Sequence, residues 1–195
     1  MSMKQILLSL CLVMLSVDCS SDQQTDNGTQ AEIASAKAAI KELAGALQTE
    51  LKNAMQTGGP VAAIAVCNTQ AMPITQKTAN EQGMLLSRVS LKNRNPSNLP
   101  NEWQTLVLED FEQRKAAGQD VGSLVWSETV SIDGGEEFRF MKAIPTGAVC
   151  LNCHGTDLSP EVSRVLTELY PMDRATGYRE GDIRGAFLAT RQSSN

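Results

Sequence analysis

The sequence predicts an α+β domain in which one long N-terminal helix precedes an antiparallel sheet flanked by shorter helices. Apolar residues recur at threes and fours over residues 31–57, and two β-rich runs, 123–132 and 136–144, flank Asp133-Gly134-Gly135. The 195 residues, 42% of them hydrophobic, are enough for one domain with a core. A net charge of -5 without any basic run gives little support to nucleic-acid binding.

The first residues have the pattern of a targeting segment. Lys4 precedes an apolar stretch from Ile6 to Val17, which suits a secretory signal and is too short to cross a bilayer. We therefore expect residues 1–19 to be a signal peptide and the protein to be exported to the periplasm. Cys19 stands where a bacterial lipoprotein carries its lipid, although Asp18 departs from the small residue expected there. A lipid anchor at Cys19 would be the membrane attachment.

Residues 20–30 are polar and predict a flexible tether ahead of a domain at 31–195. The helix predicted over 31–57 has its apolar stripe at Ile33, Ala36, Ile40, Leu43, Leu47, Leu51 and Met55. Gly58-Gly59-Pro60 ends the pattern. The stripe favours a core-facing surface, and a homodimer through this helix is the alternative.

The middle of the chain predicts several short elements. They are a helical turn at 60–68, a helix at 72–82 ended by Gly83, a strand at 84–90, a loop at 94–100, and a helix with Trp103, Leu106, Val107 and Phe111 on one face, closed by Gly118.

The last third predicts a hairpin, a helix and a strand. The turn at Asp133-Gly134-Gly135 suits the positive φ angles of a tight hairpin. Ser159-Pro160-Glu161 supplies a cap, a first-turn proline and an acid for a helix that Pro171 ends. Residues 181–190 predict a last strand, which gives a sheet of four or five strands.

The chemistry of the sequence is concentrated in Cys150-Leu151-Asn152-Cys153-His154, a C-x-x-C-H motif. This is the attachment sequence of c-type haem. Two thiols on one turn reach the vinyl groups at one edge of the porphyrin, and the adjacent imidazole is then directed at the iron. The motif predicts one covalent haem c held by Cys150 and Cys153, with His154 as an iron ligand.

The same residues allow other uses. Cys67, Cys150, Cys153 and His154 would make a Cys₃His structural zinc set, although Cys67 has no paired ligand nearby. A thioredoxin-like dithiol would need a preceding βαβ unit, which the sequence lacks.

A second iron ligand cannot be histidine, because the chain contains one histidine. Methionine is a common partner of histidine in cytochromes c. The candidates are Met72, Met84, Met141, Met172 and the thiol of Cys67, and each of these residues is also suited to core packing.

The chain resembles a bacterial family of single-haem c-type proteins with a PAS-like fold and histidine/cysteine axial ligation. The resemblance rests on residues 63–68, 88–98 and 150–155, on Trp103, and on a last group of segments: Tyr170-Pro171, residues 175–178 and residues 181–186. It implies a PAS-like antiparallel sheet, haem on Cys150 and Cys153, His154 as proximal ligand and Cys67 as distal thiolate. Candidate partners of the haem propionates are Arg88, Lys92 and Arg94, with Lys115 or Arg139 as alternatives.

These expectations describe a non-enzymatic exported haem protein, since its one histidine is used as a ligand. It would act in electron transfer, or it would sense redox state or gases such as NO and CO. Either role needs a redox or signalling protein partner. The alternative is a structural zinc-binding or interaction domain without haem.

Overall fold

The computed structural model describes the backbone of residues 21–194 and the side chains of residues 28–194. The predicted signal peptide and Cys19 lie outside the described residues. Within this range no helix combines the length and apolar character needed to cross a membrane.

The predicted α+β class is confirmed. The described chain forms a long helix, α1 (Ser21–Gln82), three further helices and a four-stranded antiparallel sheet. The remaining elements are β1 (Leu85–Val89), α2 (Glu102–Ala116), β2 (Val125–Ile132), β3 (Gly135–Pro145), α3 (Leu151–His154), α4 (Pro160–Leu169) and β4 (Ile183–Ser194).

Helix α1 is kinked at Gly58 and Gly59, whose φ angles of -150° and 67° are not helical. The predicted break is therefore present, but the helix resumes at once. The two short segments predicted over 60–68 and 72–82 form one helical stretch that contains Pro73, and Gly83, at a φ of 59°, follows its end. Each part of α1 packs against other elements, and such packing contributes more to helix stability than local propensity does.

The segment 20–30, predicted as a flexible tether, is helical in the structure from Ser21 onward. The segment contains one glycine and no proline. Extending an existing helix costs far less than nucleating a new one, so the packed turns that begin near Ala36 can propagate toward the N-terminus.

The strands follow the order β1-β4-β3-β2, and each neighbouring pair is antiparallel. The predicted hairpin is confirmed: Ile132 pairs with Gly135, and Gly134 has a φ of 85°. The predicted last strand extends further than expected, to Ser194, because the eleven residues of β3 provide it with a partner up to Gly135.

Helices cover both faces of the sheet, which gives two apolar clusters, and a third apolar cluster lies outside the sheet. The first part of α1 packs Ile40 and Leu43 against Phe138 and Phe140, as its stripe predicted. On the other face, the α2 residues Leu108 and Phe111 pack with Met141 and Leu188.

The third cluster joins Ile64 of α1, beyond the kink, to Val162, Val165 and Leu166 of α4, with Cys153 packed against it. The second part of α1 therefore lies beside the C-x-x-C-H motif.

We predict opposite effects of alanine at two glycines. Gly185 has a φ of 152°, and a β-carbon there would lie 2.3 Å from the Val89 carbonyl oxygen. Gly185→Ala should lower the free energy of unfolding by about 1–3 kcal/mol. Gly45 lies inside α1, and a β-carbon added there would meet no atom within 4 Å. Gly45→Ala should raise stability by roughly 0.5–1 kcal/mol. Urea unfolding measures both changes, and equal effects would contradict the packing around Gly185.

Candidate functional site

The C-x-x-C-H motif forms one tight turn. Cys150 ends a 3₁₀ turn, and α3 carries Cys153 and His154. The Gly155 amide closes the turn by donating to the Leu151 carbonyl at 3.0 Å. A β-carbon at position 155 would lie 2.6 Å from that oxygen, so glycine is required for this close approach. The turn thus presents both thiols and the imidazole from a single short segment.

A second segment, residues 175–178, holds the His154 ring in place. The Nδ1 atom lies 2.6 Å from the Ala175 carbonyl oxygen, and the Tyr178 amide donates to the His154 carbonyl at 2.9 Å. The amide of Gly177 donates to the Gly155 carbonyl at 2.9 Å. Because a carbonyl only accepts, Nδ1 carries the ring hydrogen and Nε2 keeps the lone pair. The neutral ring therefore offers Nε2 as the nitrogen whose lone pair is available.

Cationic side chains surround the same ring. The Nε of Arg184 lies 3.5 Å from His154 Nε2, while its Nη1 donates to Ser90 Oγ at 3.2 Å and to the Lys92 carbonyl at 3.4 Å. Burial, followed by the charges of Arg184 and Arg94, lowers the pKa of His154 to about 2. The hydrogen bond to Ala175 acts in the opposite direction without reversing this shift. His154 is consequently neutral at physiological pH.

A buried ion pair joins the motif to the 173–178 loop. Arg94 Nε donates to Asp173 Oδ2 at 3.0 Å, and the two side chains are 11% and 10% exposed. Arg94 Nη2 donates to the Cys153 carbonyl at 2.5 Å. Asp173 Oδ1 accepts from the Ala175 amide at 2.8 Å. One ion pair therefore positions both the turn that carries His154 and the carbonyl that orients its ring.

Cys67 lies near the motif despite the distance along the chain. It is on α1 beyond the kink, and its thiol interacts electrostatically with Cys153, Arg88 and Arg94. Its residue surface is exposed, yet surrounding protein atoms raise the pKa of the thiol by desolvation, while the two arginines oppose that shift. The structure thus brings all four sequence-predicted residues into one region, and Cys67, Cys150 and Cys153 are unpaired thiols.

A family model described as Tll0287-like matches residues 22–190, which include the whole of this region. The chain belongs to the Tll0287-like family. Among solved structures, it is similar to the crystal structure of the cyanobacterial heme-protein Tll0287, with a TM-score of 0.58 and 23% identity over 87% of this chain and 98% of that one. This likeness supports the fold. No curated protein sequence matches the chain.

The other candidate residues of this Tll0287-like chain lie at different places in the fold. Across residues 28–194, no three His, Cys, Asp or Glu side chains are grouped closely enough to hold a metal ion. Met84 and Met141 are buried in the two sheet cores. Met72 and Met172 are surface residues, 45% and 65% exposed. Cys67 is exposed as well, and it is the candidate second ligand whose thiol interacts with Cys153 of the motif.

Three of the four cations near the Tll0287-like motif form no salt bridge within the described part of the chain. Within the described side chains, Arg94 has Asp173, whereas no salt bridge is formed by Arg88, Lys92 or Arg184. The sequence-predicted alternatives are engaged elsewhere: Lys115 pairs with Asp182 at 2.7 Å and Arg139 with Glu137 at 2.5 Å.

No role could be predicted from local sequence patterns for Asp173 or the Ala175 carbonyl, and none was predicted for Arg184. For Arg184 a signal was available, because it is a cation between Ile183 and Gly185-Ala186 in an otherwise apolar strand segment. A charge that the fold half-buries at such a position requires a partner. Nothing in the local sequence marks Ala175 as a hydrogen-bond acceptor, since its contribution is made by backbone.

We predict that the polypeptide prepared without cofactor loses stability in mild acid through His154. The folded pKa of about 2 lies below the ordinary 6.5, so the unfolded chain alone takes up this proton as the pH falls below 6.5. The free energy of unfolding should then fall by up to about 1.4 kcal/mol per pH unit. Urea unfolding at pH 7.5 and pH 5, compared with His154→Gln, isolates this contribution.

The single histidine also permits a direct check by NMR. Its ring signals should not titrate between pH 7.5 and pH 5. A midpoint near 6.5 would contradict the buried, hydrogen-bonded environment described here.

Proposed function

We propose that this Tll0287-like chain is an exported single-haem c-type protein in which His154 binds the iron through Nε2. The observation that carries the proposal is the hydrogen bond between His154 Nδ1 and the Ala175 carbonyl, at 2.6 Å. It fixes the tautomer that metal-bound histidines use, and backbone carbonyls are common partners of the non-ligating nitrogen. Export, indicated by the apolar stretch from Ile6 to Val17, is consistent with the compartment in which c-type haem is attached.

The residues present fit covalent haem. Cys150 and Cys153 are unpaired thiols on one turn, adjacent to the histidine, as thioether attachment requires. Arg88, Lys92 and Arg184, which form no salt bridge among the described side chains, suit the two anionic propionates. Arg184 lies 3.5 Å from His154 Nε2, so it must leave that nitrogen when a metal binds there. Its guanidinium would then be available to a propionate.

Cys67 is the proposed second iron ligand. It interacts with Cys153 of the motif, and Arg88 and Arg94 favour its thiolate form against the cost of burial. Haem iron supplies one-electron chemistry between its ferric and ferrous states. An anionic thiolate donor stabilises the ferric state, so a His154/Cys67 pair implies a lower reduction potential than histidine with methionine.

Electron transfer with a protein partner is the role that these residues support best. His154 is the one histidine of the chain, and its two ring nitrogens are committed to Ala175 and to the iron, so no imidazole is left for acid–base catalysis. Redox or gas sensing is the second candidate, because Cys67 lies on the part of α1 that begins after the kink at Gly58 and Gly59. Movement of that part would release the thiol and open the iron to NO or CO.

We predict that covalent haem depends on Cys150 and Cys153 and not on Cys67. The full chain is produced in an exporting host that matures c-type haem, and a denaturing gel is stained for haem. Wild type and Cys67→Ser should stain, whereas the double variant Cys150→Ser, Cys153→Ser should not. An unstained wild type with bound zinc would overturn the proposal in favour of a structural metal site.

We also predict that Cys67→Ala removes the thiolate-ligated ferric spectrum while leaving the covalent haem in place. Met72→Ala is the matched control on the same part of α1, and its spectrum should equal that of wild type. An unchanged spectrum in Cys67→Ala would exclude Cys67 as a ligand.

The same samples separate the two roles when CO is added to the reduced protein. An unchanged wild-type spectrum, together with CO binding by Cys67→Ala, supports electron transfer. CO binding by wild type favours gas sensing.

A further inference from the structure

The Ala175 carbonyl oxygen is shared by two donors. It lies 2.6 Å from His154 Nδ1 and 3.4 Å from Arg94 Nη2. A carbonyl oxygen has two lone pairs, so both bonds can form together. A second, cationic donor draws electron density from this oxygen and weakens the bond that His154 donates to it.

Asp173 determines how closely Arg94 approaches that oxygen. Its Oδ2 accepts from Arg94 Nε at 3.0 Å, and its Oδ1 accepts from the Ala175 amide at 2.8 Å. The same carboxylate therefore fixes the guanidinium and the peptide unit next to the shared carbonyl. Both charged side chains are about nine-tenths buried, so solvent screens them weakly.

We infer that the Arg94–Asp173 pair sets the reduction potential of the iron bound at His154, by fixing the strength of the His154–Ala175 hydrogen bond and by balancing charge beside the ring. This inference rests on the proposed haem function. Arg94 and Asp173 act through His154 and the field at the iron, and they are positioning residues.

The direction of each effect follows from charge and from hydrogen bonding. A stronger hydrogen bond at Nδ1 makes the imidazole more basic, which favours ferric iron and lowers the potential. Loss of Arg94 strengthens that bond and leaves a buried carboxylate, and both changes favour the ferric state. Loss of the Asp173 charge leaves the positive charge of Arg94 without a nearby negative charge. The uncompensated positive charge stabilises the ferrous state, which carries one more electron than the ferric state.

The test is potentiometric titration of the haem-loaded full chain, with dithionite as reductant and ferricyanide as oxidant. Asp173→Asn should raise the midpoint potential, and Arg94→Met should lower it. Arg94→Lys keeps the charge, so its midpoint should lie between those of wild type and Arg94→Met. Removal of one partner of a buried ion pair can prevent folding. If Arg94→Met does not fold, the midpoint potentials of Asp173→Asn and Arg94→Lys must still shift in opposite directions.

The ion pair between Arg191 and Glu32 supplies the control. It joins β4 to α1 at 2.9 Å, seven residues along β4 from Arg184, which is about 23 Å in an extended strand. Glu32→Gln and Arg191→Met should leave the midpoint unchanged. Shifts of equal sign in Asp173→Asn and Arg94→Lys, or no shift in folded, haem-loaded variants, would overturn the inference. Absence of haem from wild type would instead overturn the proposed function.

Discussion

The buried ion pair between Arg94 and Asp173 is the constraint on which the site depends. Arg94 follows β1 and Asp173 follows α4, and neither belongs to the turn that carries the histidine. Their hydrogen bonds to the Cys153 carbonyl and the Ala175 amide bring three separate segments together. A buried ion pair adds little net stability compared with an apolar substitute, and its value here lies in specifying one arrangement of those segments.

The electrostatics of the site are unusual for a protein of negative net charge. The chain carries a charge of -5, yet arginines and a lysine gather around a neutral imidazole. Burial lowers the pKa of Arg88 and Arg184, which measures the cost of placing these cations where water is scarce. Such a cost is offset when an anionic group binds beside the cations, as we propose for the haem propionates.

Much of this molecule could be predicted from its sequence, and the rest follows from long-range contacts. The hairpin at Asp133-Gly134 and the stripe of α1 are local patterns, so periodicity and turn chemistry identified them. The continuation of α1 through Pro73 depends on packing that no short window contains, such as that of Ile74 and Ala79 against the sheet.

The same distinction holds at the site. The motif residues are adjacent in sequence, whereas Arg94 contacts residues about 60 and 80 positions away, and Ala175 contributes only backbone. Only the family resemblance linked Cys67 to the motif as an iron ligand, because spacing along the chain carries no information on that contact. Arg184 was visible as a lone charge in an apolar strand, but its proximity to His154 required the sheet.

The kink at Gly58 and Gly59 divides the long helix into two arms whose neighbours are only partly different. The first arm is packed against Phe138 and Phe140 of the sheet, and the second is packed against α4 and carries Cys67. Ile74 and Ala79 of the second arm also pack against the cluster that contains Ile40 and Leu43 of the first arm, so both arms contribute to one core away from the kink. A substitution in that shared core therefore acts on both halves of the helix, and the half that carries Cys67 evolves under the constraint of the sheet as well as that of the site.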